Sequence, residues 1–298
     1  MTASTPIASS KAHPKFRVGL CQMTTGPDVA ANLEAATKLI REAAAKGASY
    51  VQTPEITTLM ETDRAKLFVA TRPEEGNPAI AHFRSIAREL KIWLHVGSMG
   101  IAVAPDKIAN RAFLISPDGV VTARYDKIHM FDVDLPDGEK YRESRNFAPG
   151  DTAVLADLPW GKLGITICYD MRFPGLYRAL AHAGATMIAV PAAFTVPTGK
   201  AHWHTLLRAR AIETQCFVFA AAQAGTHPSG RQTYGHSLVI SPWGEILAEA
   251  DGVHPSVITA DIDMAAVDEA RSRVPSLTHD RAFKVVHANA RREIKAAS

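Results

Sequence analysis

The constraint that most limits how this chain can fold is an order of elements that occurs twice. Phe16, Val18 and Leu20 alternate with Arg17 and Gly19 as in a strand. Asp28 then caps a helix carrying Leu33, Leu39 and Ile40, Gly47 stops it, and Ala48 to Thr53 forms a second strand closed by Pro54. Asn77 and Pro78 open another helix lined by Ile80, Phe83, Ala87 and Leu90, after which Ile92 to Ser98 returns as strand. Strands Ala112 to Ile115 and Val120 to Tyr125 flank the tight turn Ser116-Pro117-Asp118-Gly119. The second half repeats this order. Gly184-Ala185 with Pro191 matches Gly47-Ala48 with Pro54, and Arg208, Ala211 and Glu213 match Arg84, Ala87 and Glu89. Ser241-Pro242 with Gly244 matches Ser116-Pro117 with Gly119. Three blocks in one order imply two similar halves.

Strands such as Met187 to Val190 and Phe217 to Ala222 are apolar on both faces, so each sheet needs cover on both sides. Two sheets packed face to face with helices outside satisfy every surface. The expected class is therefore α/β, a four-layer α-β-β-α sandwich built from two similar halves. Asp126 to Gly150, with Pro136, Gly138, Pro149 and many charges, reads as a site-forming loop. Residues 1–15 are expected to be a disordered leader, 16–275 a single domain, and 276–298 a tail whose Phe283, Val285 and Val286 make it a candidate dimerisation arm.

Composition excludes several classes. A net charge of +3 gives no reason to invoke nucleic acid or an anionic membrane, and Arg291, Arg292 and Lys295 read as a solvated tail. No run approaches the length of a membrane span. Cys21, Cys168 and Cys216 lack disulfide or C-x-x-C spacing, which fits a reducing, cytoplasmic setting. There is no H-E-x-x-H, G-x-G-x-x-G or Walker loop, so no cofactor is expected. His202 and His204, the densest histidine pair, are two apart on a helix and point to different sides, so no metal is expected either.

The chemistry centres on Gly164-Ile165-Thr166-Ile167-Cys168-Tyr169-Asp170-Met171-Arg172-Phe173-Pro174, which delivers a cysteine from an apolar strand into a polar turn. A lone cysteine is more often a small buried hydrophobe. A nucleophilic thiol needs a group to take its proton. Glu55, directly after Pro54, and Lys127, just past the first hairpin, also sit where strands end, although singly each reads as an ordinary surface charge.

Pro54-Glu55, Asp126-Lys127-Ile128-His129 and Ile167-Cys168-Tyr169-Asp170, in that order, resemble the nitrilase superfamily, the carbon-nitrogen hydrolases. The resemblance runs from Phe16 to about Ala265. It implies Cys168 as nucleophile, Glu55 as general base, and Lys127 with the Tyr169 backbone N–H as oxyanion donors. Glu143, in Tyr141-Arg142-Glu143-Ser144, fits a supporting glutamate. The implied reaction cleaves a small carboxylate-bearing linear amide to acid and ammonia through a thioester, with a homodimer as the usual assembly. Phe194 to Trp203, Arg208 to Cys216 and Tyr234-Gly235-His236-Ser237 are similar to the deaminated glutathione amidase branch, with the ω-amidases adjacent. An N-carbamoyl amino acid amidohydrolase, a nitrilase and an inactive binding homologue are the alternatives. Gly175 and His204 depart from the glutamates common at those places. Arg172 is a candidate for a substrate carboxylate or for pairing with Asp170, and Phe194 and Thr195, just past Pro191, for the pocket or for packing. His129 could instead serve Cys168, which would leave Glu55 and Lys127 unexplained.

Overall fold

A computed structural model describes residues 13–135 and 138–287. Most of the expected leader, Pro136 and the end of the basic tail lie outside them. The first half runs β1 (Lys15–Gln22), α1 (Val29–Ala45), β2 (Tyr50–Gln52), α2 (Arg64–Ala70), α3 (Pro78–Leu90), β3 (Trp93–Ala104), β4 (Lys107–Ile115) and β5 (Val121–Asp126). The connecting loop carries short strands β6 (Asp132–Asp134), β7 (Lys140–Arg142) and β8 (Phe147–Ala148). The second half runs β9 (Val154–Leu158), β10 (Gly161–Ile165), α4 (Pro174–His182), β11 (Met187–Ala189), α5 (Val196–Thr214) and β12 (Phe217–Ala220). It continues through a small hairpin, β13 (Ala224–Thr226) and β14 (Gln232–Tyr234), to β15 (Leu238–Ile240) and β16 (Ile246–Glu249). The chain then returns to the first sheet as β17 (Ser256–Asp263), which leads into α6 (Ala265–Arg273).

The duplication is visible strand by strand. One sheet has the order β17-β1-β2-β3-β4-β5, the other β9-β10-β11-β12-β15-β16. In each, three parallel central strands are flanked by antiparallel ones. Strand β17, the last among the described residues, holds the edge place in the first sheet that β9 holds in the second, pairing Lys15 with Asp263 through to Gln22 with Ser256. Two boundaries differ from the sequence expectation. The first strand begins at Lys15 rather than Phe16, with Lys15 paired to Asp263, and α2 forms in a stretch with no long apolar period, capped by Asp63.

Alternation along β1 sorts its side chains between two cores. Phe16, Val18 and Leu20 face the second sheet, where Phe16 and Tyr50 both pack on the Phe219 ring at 6.3 and 5.6 Å. Cys21 and Val51 belong instead to a core with Ala36, Leu39 and Ile40 of α1 and Phe83 and Ile86 of α3. Asp28 and Asn77 cap these helices through their side chains. Trp203, Leu207 and Ala211 of α5 and Tyr177 and Leu180 of α4 cover the second sheet. This is the four-layer α-β-β-α sandwich. Each large apolar side chain buried in it contributes roughly 1.5–3 kcal/mol. The two sheets meet at their strand ends around Gly97, where a Cβ would lie 2.0 Å from Thr53 O and 2.5 Å from Pro191 Cβ.

Candidate active site

Glu55, Lys127 and Cys168 come from three strand ends that the sandwich brings to one place. Past β2, Pro54 stops the ladder and Ile56 takes a positive φ of 51°, which turns the chain sharply after Glu55. Ser98 Oγ accepts from Ile56 N at 2.8 Å, and Gln223 donates to Glu55 O at 3.0 Å, so the turn is fixed from both halves. Past β5, Lys127 N donates to Asn110 O at 3.0 Å while Arg111 grips Asp126 through two hydrogen bonds of 2.6 and 2.7 Å. Past β10, Cys168 sits at φ 49°, a backbone conformation that costs a non-glycine residue of order 1–3 kcal/mol and is held by Cys168 N donating to Pro191 O at 2.9 Å.

Asp170 is the anchor of this last turn. It is fully buried, accepts from Ile167 N at 2.8 Å and Tyr125 Oη at 2.7 Å, and meets both His129 N at 3.1 Å and His129 Nδ1 at 2.7 Å. One carboxylate thus ties the segment carrying Lys127 to the segment carrying Cys168. His129 faces Asp170 and stacks on Phe173 at 3.5 Å, and it does not line the cavity beside Cys168.

The charged groups form a continuous cluster. Lys127 Nζ lies 2.9 Å from Glu55 Oε1 and 3.0 and 2.9 Å from the two Glu143 oxygens. Asn110 Nδ2 bridges the same two carboxylates at 3.0 and 3.3 Å, and its Oδ1 is buried with no hydrogen-bond partner among the described residues. Ala193 N donates to Glu55 Oε2 at 2.8 Å and Phe131 N to Glu143 Oε2 at 2.7 Å. Every oxygen of the pair is therefore directed.

Burial by itself would raise Glu55, but the charge and hydrogen bond of Lys127, with the Cys168 hydrogen bond, bring its pKa below the ordinary carboxylate value. Burial would lower Lys127, yet the Glu143, Glu55 and Cys168 charges hold it well above the usual lysine range. Cys168 is pushed well up by burial and by the Glu55 charge, against the pull of Lys127. The resting arrangement is thus thiol, carboxylate and ammonium. Cys21 and Cys216 are also raised by burial, the latter to about 11, and neither lines the cavity beside Cys168.

Glu55, Lys127, Glu143, Cys168 and Tyr169 line one cavity of about 370 Å³, whose walls include Phe131, Tyr141 and Phe194 and the cations Lys140, Arg142 and Arg231. A family described as carbon-nitrogen hydrolase matches residues 17–272. The chain belongs to that family.

This hydrolase is 41% identical to the deaminated glutathione amidase of Yersinia enterocolitica over 270 residues, 89% of this chain and 92% of that one. Among solved structures, Saccharomyces cerevisiae Nit3, a member of branch 10 of the nitrilase superfamily, matches with a TM-score of 0.82 at 31% identity, covering 92% of this chain and 100% of that chain. A variant of the Nesterenkonia sp. AN1 amidase matches at 26% identity and a TM-score of 0.76, covering 93% of this chain and 97% of that one. Its structure shows covalent addition of the acetamide moiety of fluoroacetamide at the active site cysteine.

Of the other residues singled out in the sequence of this carbon-nitrogen hydrolase, Phe194 and Thr195 both line the cavity, and Phe194 also packs against Trp203 at 5.1 Å. Arg172 does not line it. Its guanidinium lies over the Tyr169 and Phe194 rings at 5.7 and 5.4 Å and 3.3 Å from His202 Nδ1, and Asp170 is engaged elsewhere. Sequence reasoning missed Asn110, inside an unremarkable strand, and Arg231. The latter donates to Ala193 O at 2.9 Å, lies 5.5 Å from the Tyr141 ring, and carries a buried Nε with no hydrogen-bond partner among the described residues.

Proposed function

We propose that this hydrolase cleaves the amide of a small carboxylate-bearing molecule through a thioester on Cys168, with deaminated glutathione as the preferred substrate. The observation that carries the reading is the convergence of a thiol, a carboxylate and an ammonium on one cavity. Cys168 Sγ attacks the amide carbon, and because its thiol is held protonated, Glu55 takes the proton as the S–C bond forms. The displaced carbonyl electrons settle on oxygen, where Lys127 Nζ and Tyr169 N–H donate. One such donor is worth about 2.7–4 kcal/mol. As the tetrahedral adduct collapses, the C–N bond breaks and Glu55 returns its proton to the departing nitrogen. Water, deprotonated by Glu55, then attacks the thioester carbon, and the C–S bond breaks to regenerate the thiol. Glu143 acts on Lys127, holding its ammonium against Glu55.

The relative's name and the charge of the cavity support the substrate. Outside the catalytic cluster the lining carries Lys140, Arg142 and Arg231 against the carboxylate of Glu61, with Arg142 paired to Asp134, a positive excess that suits a carboxylate-bearing molecule, and a volume of about 370 Å³ is in the range of small-molecule sites. The expectation of ammonia as leaving group needs amending for this substrate. In deaminated glutathione the nitrogen of the γ-linked amide belongs to cysteinylglycine, so an amine departs. The deciding experiment follows both products by mass spectrometry. Cysteinylglycine released from deaminated glutathione faster than ammonia from α-ketoglutaramate supports the reading. The opposite preference moves the chain to the ω-amidase class, and turnover of neither by folded protein removes the reading.

Residues 16–275 are read as one domain, and the three free cysteines suit a reducing, cytoplasmic compartment. Among the described residues no helix is long and apolar enough to cross a membrane. Phe283, Val285 and Val286 are largely exposed, which supports the tail as an arm that packs on a second copy. Removal of residues 281–298 is then expected to shift the mass from dimer to monomer in light scattering.

A further inference from the structure

His202 and His204 do diverge from α5 as their spacing requires. His202 turns to Arg172, whereas His204 Nε2 lies 3.0 Å from Glu249 Oε1 on β16. A third group from elsewhere in the chain converges on the same oxygen: His236 Nδ1, from the turn between β14 and β15, at 2.8 Å. All three ligand atoms lie within 4.8 Å of one another. We propose that His204, His236 and Glu249 form a divalent-metal site, with Zn²⁺ the best-fitted ion, that ties α5 to the edge strand of the second sheet. The expectation of no metal rested on the divergence of His202 from His204 and on the lack of a linear metal motif, neither of which bears on groups brought together by packing.

The donor chemistry selects the ion. Two imidazoles and one carboxylate are a common zinc set that leaves a fourth position to water, whereas magnesium and calcium prefer oxygen throughout. The geometry is close to what binding requires. Tetrahedral bonds of about 2.0–2.1 Å place neighbouring ligand atoms roughly 3.3–3.4 Å apart, so the carboxylate needs to move only a few tenths of an ångström from each imidazole, and the two ring nitrogens, within 4.8 Å of one another, have to come to that same separation.

The ligands are also held in place before any ion arrives. His204 follows Trp203, which is fully buried and donates from Nε1 to His236 O at 2.8 Å, linking the two histidine backbones. His236 stands at φ 55°, and its ring fits over Gly252, where a Cβ would lie 2.7 Å from Nε2. The Tyr234 ring packs against it at 4.4 Å. Glu249 is opposite Leu238 in the β15·β16 register. The side chains of His204, His236 and Glu249 keep 31%, 29% and 35% exposure, enough for an ion to enter. None of the three lines the cavity beside Cys168.

Cys168 with Glu55 and Glu143 offers Zn²⁺ a competing donor set, so the test uses full-length Cys168→Ala protein. Zinc chloride is titrated calorimetrically, and Co²⁺ serves as a spectroscopic probe. The expected result is one Zn²⁺ per chain and visible Co²⁺ absorption of a tetrahedral site. Adding His204→Gln or, separately, Glu249→Gln should weaken Zn²⁺ binding by roughly 100-fold or more, since even outer-shell changes cost 10–100-fold. The proposal is overturned if Cys168→Ala binds no stoichiometric Zn²⁺, or if both added variants bind it as tightly as their parent. In that case the three groups are a hydrogen-bonded carboxylate clamp.

Discussion

The two halves share one topology, yet their equivalent strand ends carry different chemistry. Leu20 lies opposite Gln52 and Ile165 opposite Ala189, so the position that Cys168 holds past β10 is held past β1 by Met23. By the same register Ala192 is the counterpart of Glu55. Counting from the two Ser-Pro turns, Gly252 is the counterpart of Lys127. The proposed catalytic set therefore takes its carboxylate and ammonium from the first half and its thiol from the second. The complementary set, Met23, Ala192 and Gly252, has no group that can attack, take a proton or donate to an oxyanion. Duplication supplied two frames of strand ends, and charge accumulated on one side only.

The sharpest break between the two frames is expected at the paired Met23 and Cys168 positions. Cys168→Ala should lower kcat by roughly 10⁴-fold or more, as removal of a covalent nucleophile does. Met23→Leu, a change of nearly conserved volume at a buried site, should cost less than about 1.5 kcal/mol and leave kcat and KM unaltered. Equal losses in the two variants would dissolve the distinction between the frames.

Lys127→Ala comes next, with kcat expected to fall by roughly 10²- to 10³-fold through loss of an oxyanion donor. The same change leaves Glu55 and Glu143 facing one another uncompensated, which should cost about 3–5 kcal/mol in urea unfolding. His129→Ala should retain much more activity, because its ring faces Asp170 and Phe173. If His129→Ala proved the more damaging, a cysteine-histidine mechanism would be favoured.

The charged cluster also fixes a pH window. Glu55 has a folded pKa below its ordinary 4.5, so its contribution to stability is present above that value and disappears as pH falls through the lower folded one. Lys127 is raised above 10.5, so its contribution is complete below that value and is lost only as pH rises through the higher folded one. The difference in urea midpoint between wild type and Glu55→Gln should stay level between these limits and shrink below pH 4.5. A difference that changes near neutrality would mean that the cluster titrates there.

How much of this was legible in the sequence depended on whether the cause was local. Glu55, Lys127 and Cys168 stood out as charges or a thiol at strand ends, the first two reading singly as surface charges until the three motifs were seen in order, and Glu143 was reached only through the family resemblance. The repeat gave the layers because each block carried its own turn residues. Strand β17 was not placed, because its edge position is decided by pairing with β1, the better part of the chain away. Asn110 and Arg231 were missed for a related reason: a strand asparagine and a hairpin arginine acquire meaning only from the carboxylates and rings that tertiary packing sets beside them. Arg172 was read as a candidate either for a substrate carboxylate or for pairing with Asp170, and the turn directs its guanidinium onto Tyr169 and Phe194.

Two glycines test the junction of the halves and its periphery, the second with the smallest effect expected of the series. Gly97→Ala would press a methyl group against Thr53 O, Pro54 O and Pro191 Cβ, where the two sheets close on Glu55. Overpacking of this kind costs about 1–3 kcal/mol or more, and because backbone must yield, kcat should fall with stability. Gly175, in the first turn of α4, has nothing within 4 Å of its Cβ position and does not line the cavity. Gly175→Ala should therefore stabilise by up to roughly 0.5–1 kcal/mol through helix propensity, read as a small rise in urea midpoint, with KM unchanged. A changed KM would bring the start of α4 into contact with substrate and make the departure at Gly175 a matter of specificity. An unchanged one leaves it a surface difference on the half that supplies the thiol.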